Sequence, residues 1–195
     1  MSLYRTTAGC ALALLLGLAS LHAPAQVQLL APAAPPSDTA DVERLLQGGR
    51  LDEALARVDR ALADKPADAQ LRFLRGVVLA EAKRGDEATA VFEKLTQDHP
   101  DLPEPYNNLA VLHAAAGRYR PARAALEQAI RLNPGYSTAH ENLGDVEARL
   151  AAESYDRARQ LDAGNRTAGR KLAVLGRLFM LPPAAVAPPA AAGSR

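Results

Sequence analysis

Along residues 37–178 the apolar positions follow the spacing of amphipathic helices, and the pattern itself recurs. Pro66, Pro100 and Pro134 are spaced 34 residues apart twice in succession, each after an apolar amphipathic run ending in a polar or charged residue. A proline there stops a helix, because its ring removes a donor and clashes with the preceding turn. Twelve residues before each proline stands an alanine, Ala54, Ala88 and Ala122. Eight before come Val58, Phe92 and Leu126, and five before come Ala61, Leu95 and Ala129. Small residues at one register and larger apolar ones at another are what a helical hairpin needs. The alanine lets two backbones approach, and the larger side chain fills the gap beside it. Turn signals separate the paired helices: Gly48-Gly49-Arg50, Arg84-Gly85-Asp86 and Gly117-Arg118, with Gly85 two positions off the register of Gly49 and Gly117.

This pattern resembles the tetratricopeptide repeat family, whose unit is a helix-turn-helix of 34 residues. The third copy carries the resemblance best, with Tyr106, Leu109, Ala110, Ala122, Leu126, Ala129 and Pro134 on the family's signature positions. The second keeps Gly76, Leu79, Ala88, Phe92 and Pro100. The first departs in its opening helix, where Asp38, Asp41 and Val42 occupy places usually apolar or small, as suits a terminal repeat whose outer face meets water. The resemblance implies an all-α fold: a right-handed helix-turn-helix repeat solenoid of three regular units, an irregular fourth and a C-terminal capping helix.

The fourth copy opens with Thr138-Ala139-His140-Glu141-Asn142-Leu143-Gly144 and matches again at Ala151, Tyr155 and Ala158 once five residues, those of the inter-helix turn, are omitted. Either one helix runs from about Thr138 to Leu161, or Leu150 to Ala152 make an abbreviated corner without glycine. The joining residues Ala148 to Glu153 are good helix formers and favour the continuous or kinked helix. After Gly164-Asn165, the spacing of Leu172, Leu175, Leu178 and Phe179 predicts the capping helix, so the solenoid is expected over 37–180.

Composition supports the helical class: 48% of residues are hydrophobic but only 4% aromatic, with alanine supplying most of the apolar count. The 23 Lys and Arg nearly cancel the 22 Asp and Glu and are interspersed, which excludes the concentrated basic face that nucleic acid needs. Residues 1–25 read as a secretory signal peptide, with Arg5, an uncharged apolar stretch from Ala8 to Leu21 and a small-residue site Ala23-Pro24-Ala25, cleaved after Ala25. The apolar run is short for a membrane span. Cys10, the single cysteine, lies inside this segment, so the expected mature chain has no thiol and suits an oxidising compartment such as the periplasm. The alternative, a lipoprotein acylated at Cys10 after Thr7-Ala8-Gly9, is disfavoured because Cys10 precedes most of the apolar run. Residues 26–36 and 181–195 are Ala/Pro-rich and are expected to be a disordered linker and tail, having too little to bury to offset their ordering entropy.

Catalytic chemistry finds no foothold. His99, His113 and His140 lack metal-ligand spacing, and the register places His113 and His140 at packing positions and His99 at a helix end. Neither a nucleophile elbow, a phosphate-binding glycine loop nor a zinc-protease motif occurs, and Asp52-Glu53 and Asp86-Glu87 sit at helix starts, where acids cap and complement the dipole. No enzymatic activity, cofactor or metal is expected.

The inward face of stacked first helices forms a groove in which polar residues have no packing reason to exist. By register that groove receives Phe73, Val77, Glu104, Asn107, Asn108, Val111, Glu141, Asn142, Asp145 and Arg149. Asparagine both donates and accepts, so Asn108 and Asn142 are candidates to bracket an extended peptide backbone, although Asn107 can equally satisfy a neighbouring helix. Some family members clamp a C-terminal carboxylate with lysine, asparagine and arginine. Here Phe73, Val77, Thr138 and Asn142 stand at those positions and only Asn108 matches, so the clamp is not expected. The reading is a periplasmic adaptor binding a peptide or helix of an envelope protein. The alternative is a self-associating assembly factor for a pilus or secretion machine.

Overall fold

The computed structural model describes residues 37–178, with side chains through residue 177. The expected signal peptide and linker before residue 37, together with Phe179 and the expected 181–195 tail, lie outside the described residues. Eight helices occupy the described chain: α1 (Asp38–Gln47), α2 (Leu51–Asp64), α3 (Ala69–Glu81), α4 (Gly85–Asp98), α5 (Pro103–Ala115), α6 (Tyr119–Leu132), α7 (Ser137–Leu161) and α8 (Arg166–Leu178). Each of the first three pairs is an antiparallel hairpin, and no strand occurs among the described residues.

The three hairpin turns are built identically. The N–H groups of Gly49 and Arg50 reach back to Leu46 O and Leu45 O, those of Lys83 and Arg84 to Ala80 O and Leu79 O, and those of Gly117 and Arg118 to Ala114 O and His113 O. This paired bonding satisfies the last carbonyls of the first helix and requires one left-handed residue. That residue is Gly49 (φ +68°), Lys83 (φ +62°) and Gly117 (φ +72°) in turn. The turn therefore keeps the 34-residue register even where glycine does not, because Lys83 accepts the strained conformation and Gly85 instead opens α4. Asp52-Glu53 and Asp86-Glu87 do not cap α2 and α4 with side-chain hydrogen bonds. Instead Glu53 pairs with the Arg50 guanidinium and Glu87 with that of Arg84, holding the turn arginine over the first helical turn.

Within each hairpin the expected small-large packing is present. Ala54, Ala88 and Ala122 are fully buried, as are Val58, Phe92 and Leu126, and the side chain of Phe92 alone stabilises the fold by about 1.5–3 kcal/mol relative to exposure. The first repeat meets its polar substitutions with ions: Arg57 bonds Asp38 at 2.6 Å and Asp41 at 3.4 Å, and Lys65 bonds Asp38 at 2.8 Å. Hydrogen bonds from Lys65 and Arg57 hold the Asp38 carboxyl below the usual carboxylate range. Val42 is fully buried despite the polar neighbourhood.

First helices touch one another in succession, α1 on α3, α3 on α5 and α5 on α7, whereas second helices touch only first helices. Such stacking makes the first helices an inner layer. The fourth unit departs from it. Here α7 is one unbroken helix of 25 residues, as the missing turn residues favoured, its first half against α5 and α6 and its second half carrying α8. Among the described helices α8 packs on α7 alone.

Two substitutions test this architecture. Lys83→Gly relieves a left-handed side-chain penalty of about 1–2 kcal/mol and loses part of that gain to a freer unfolded chain, so a net stabilisation of about 0.5–1 kcal/mol is expected in urea melts. A destabilised variant would show that Lys83 holds the turn by its side chain. Ala122→Leu overpacks the third hairpin and is expected to cost about 1–3 kcal/mol by the same measurement. An unchanged midpoint would mean that Ala122 does not sit between two backbones.

Candidate functional site

The inner layer is the surface on which the groove residues were expected, and the structure grades them by depth. Phe73 and Val77, on α3, are 5% and 3% exposed. Phe73 packs on the Phe92 ring with centroids 5.6 Å apart, in the same apolar cluster as Leu109. Asn107, Asn108 and Asn142 are 0%, 1% and 7% exposed. Glu104 and Val111 on α5 are half-buried, and Glu141, Asp145 and Arg149 on α7 are exposed. Five of the nine residues other than Glu141 are thus covered by neighbouring helices in place of lining open groove.

The asparagines explain themselves by what covers them. Asn142 Nδ2 donates to Asn107 Oδ1 at 2.9 Å, a buried bond between residues 35 apart that joins α7 to α5. Asn108 Nδ2 donates to the Glu104 carbonyl one turn back in its own helix, at 3.0 Å. Asn108 and Asn142 occupy the same register in successive repeats, yet one closes on its own helix and the other reaches the preceding one. Asn107 Nδ2 and Asn108 Oδ1 have no hydrogen-bond partner among the described residues. Sequence spacing located these residues on the inner layer. It missed their burial, because depth depends on the following repeat and not on the residue's own register.

Of the two histidines expected at packing positions only His113 is covered, whereas His140 faces solvent because no following hairpin helix among the described residues reaches that side of α7; His99 is the C-cap of α4, at the helix end expected for it. His113 is half-buried with Nδ1 unpartnered, and burial followed by the Arg118 charge pushes its pKa below the ordinary histidine range. His140 is exposed, with Nε2 3.1 Å from the Pro134 carbonyl oxygen. Tyr136 has a phenol pushed up to about 12, first by burial and then by Glu104. Among the described residues no group of three or more His, Cys, Asp or Glu is placed to hold a metal, and no helix is long and apolar enough to cross a membrane.

Arranged this way, the inner layer is closed and apolar at α3, internally hydrogen-bonded at α5, and open and charged at α7. It offers hydrogen bonding and charge at an extended surface. Two family models, both described as Tetratricopeptide repeat, match residues 41–103 and 103–136. The Hsp70-Hsp90 organizing protein of Triticum aestivum is 32% identical over 104 residues, covering 53% of this chain and 18% of that protein. The chain spans less than half the length of the curated relatives it matches, the largest share among three being 45%. Among solved structures, TTC0263, a thermophilic TPR protein of Thermus thermophilus, superposes with a TM-score of 0.55 at 23% identity over 73% of this chain and 81% of that one. YrrB, a TPR protein with an unusual peptide-binding site, gives 0.52 at 20% identity over 73% and 76%.

The Asn107–Asn142 bond makes a direct prediction. Asn142→Ala leaves the buried Asn107 oxygen without a donor and is expected to cost about 1–3 kcal/mol in urea denaturation, while Asn107→Leu with Asn142→Leu recovers much of the loss. If Asn142→Ala behaves like an exposed substitution, the bond does not join the two repeats.

Proposed function

We propose that this chain, which is a tetratricopeptide-repeat protein, acts as an exported adaptor in the periplasm, holding a peptide or helix of an envelope protein on its inner helix layer. Tetratricopeptide repeats mediate protein–protein interaction, and the finer reading rests on one observation. The α7 end of the inner layer presents Glu141, Asp145 and Arg149 to solvent beside the half-buried Glu104 and Val111 of α5, so polar and charged groups stand where no packing demands them. Such a surface suits an extended or helical segment carrying basic side chains and a few apolar ones. The YrrB comparison supports a peptide as ligand class.

The reading does not include a carboxylate clamp. Phe73 and Val77 are committed to the apolar cluster of the second hairpin, and Asn142 to Asn107, so the cations a clamp requires are missing from those positions. Nor does it include catalysis. The signal-like layout of residues 1–25 and the lack of cysteine after Cys10 support the periplasmic reading.

The test is a crosslinking pull-down from an envelope fraction with the wild type and a Glu104→Lys, Asp145→Lys variant. The wild type is expected to retain a defined partner that the variant loses while keeping its helical circular dichroism. Equal capture by both proteins would place the contact elsewhere.

A further inference from the structure

The first-helix position carrying Val42, Gly76 and Ala110 is buried in the first three hairpins. At Gly76 a methyl group would come within 2.7 Å of the Phe92 ring, so the two helices touch there through glycine. The fourth occurrence of that position, Gly144, is exposed, and beyond its own helix backbone and chain neighbours no described residue has an atom within 4 Å of where its side chain would begin. The second-helix residues show the reciprocal change. Ala88, Phe92 and Leu95 and their counterparts in the other two hairpins are at most 3% exposed, whereas Ala151, Tyr155 and Ala158 are only half-buried.

Both halves of a hairpin interface thus exist in the fourth unit but do not meet. At about 100° per residue, Gly144, Ala148, Ala151, Tyr155 and Ala158 fall along one side of the unbroken α7. A single continuous helix does not fold its second half onto its first. A second copy running antiparallel supplies both missing halves at once. Beside the stripe an open groove of about 350 Å³ lies between α7 and α8, lined by Tyr155, Val174 and Leu175 and bordered by Arg170 and Lys171. Val174 is 55% exposed there, and Lys171 Nζ stands 5.1 Å from the Tyr155 ring centre.

Charge selects the direction. The first half of α7 exposes Glu141, Asp145 and Glu147, while α8, seated on the second half, carries Arg166, Arg170, Lys171 and Arg177 and no acid. Antiparallel pairing brings the acidic half of each copy to the basic end of the other, and parallel pairing sets like charges together. We propose that α7 pairs antiparallel with α7 of a second copy, Gly144 of each against Tyr155 of the other, so that two chains complete between them the hairpin that each lacks. The pair is symmetric about a point between Arg149 and Leu150, and an interface of this kind closes at two copies.

Light scattering across a wide range of loading concentrations is expected to show reversible dimers. Gly144→Glu is expected to weaken dimerisation by about tenfold or more, because it places an unpaired charge in the contact. Its helical circular dichroism should persist, since Gly144 is open in the single chain. Disulfide trapping reads the direction, with Cys10→Ser in every chain. A mixture of Gly144→Cys and Tyr155→Cys proteins is expected to crosslink, while Gly144→Cys alone does not, its two copies standing roughly 16 Å apart along the helix pair. A monomer at every concentration, or crosslinking of Gly144→Cys to itself, would overturn the proposal.

Discussion

The contact on which the rest of the fold depends is the meeting of a small residue on one helix with a large one on its partner. At Gly76 and Phe92 the approach is so close that a single methyl group has no room. Such a contact fixes three things together: the distance between helix axes, the rotation of each helix about its axis and the register along it. Once the register is fixed, the two ends to be joined are the same distance apart in every unit. One turn geometry then serves all three, and it holds its shape at Lys83 as it does at Gly49 and Gly117. Tertiary packing outweighs the local preference for glycine at that position, whose penalty is only about 1–2 kcal/mol.

The fourth unit shows the converse. With the turn residues missing, the same small and large positions lie along one helix, and the local helix preference of Ala148 to Glu153 meets no opposing contact. Continuity of α7 is therefore the outcome of absent packing as much as of favourable propensity. Its consequence is carried to α8, which packs on the second half of α7 and does not stack onto the inner layer.

Much of this was legible in the sequence because a repeat states its packing several times over. The prolines, the alanine register and the large apolar register located three hairpins, and the missing turn residues pointed to a long helix over most of the span that α7 occupies. Two features were not legible. The positions of Asp38 and Asp41 read only as departures from an apolar pattern, and the structure turns them into an ion cluster with Arg57 and Lys65, partners 16 to 27 residues away in sequence. The depth of the groove residues was hidden for a different reason. A register says which side of a helix a residue occupies, but burial depends on whether another helix arrives to cover that side.

That dependence ties the candidate groove to the missing turn. One register of the first helices holds Phe73, Asn107 and Glu141 in successive units. Phe73 is covered within the cluster that reaches Leu109 of α5, and Asn107 is covered where Asn142 of α7 bonds to it. Glu141 would be covered by the first helix of the next unit. No such helix reaches it among the described residues, because α7 runs on past its turn and takes α8 with it to its far half. The chemistry at this register follows the geometry: an aromatic ring where the site is dry, an amide where a buried bond is available, and a carboxylate where water reaches. The inner layer thus opens at the unit whose turn is lost, and the irregularity that breaks the repeat also creates its exposed, charged surface.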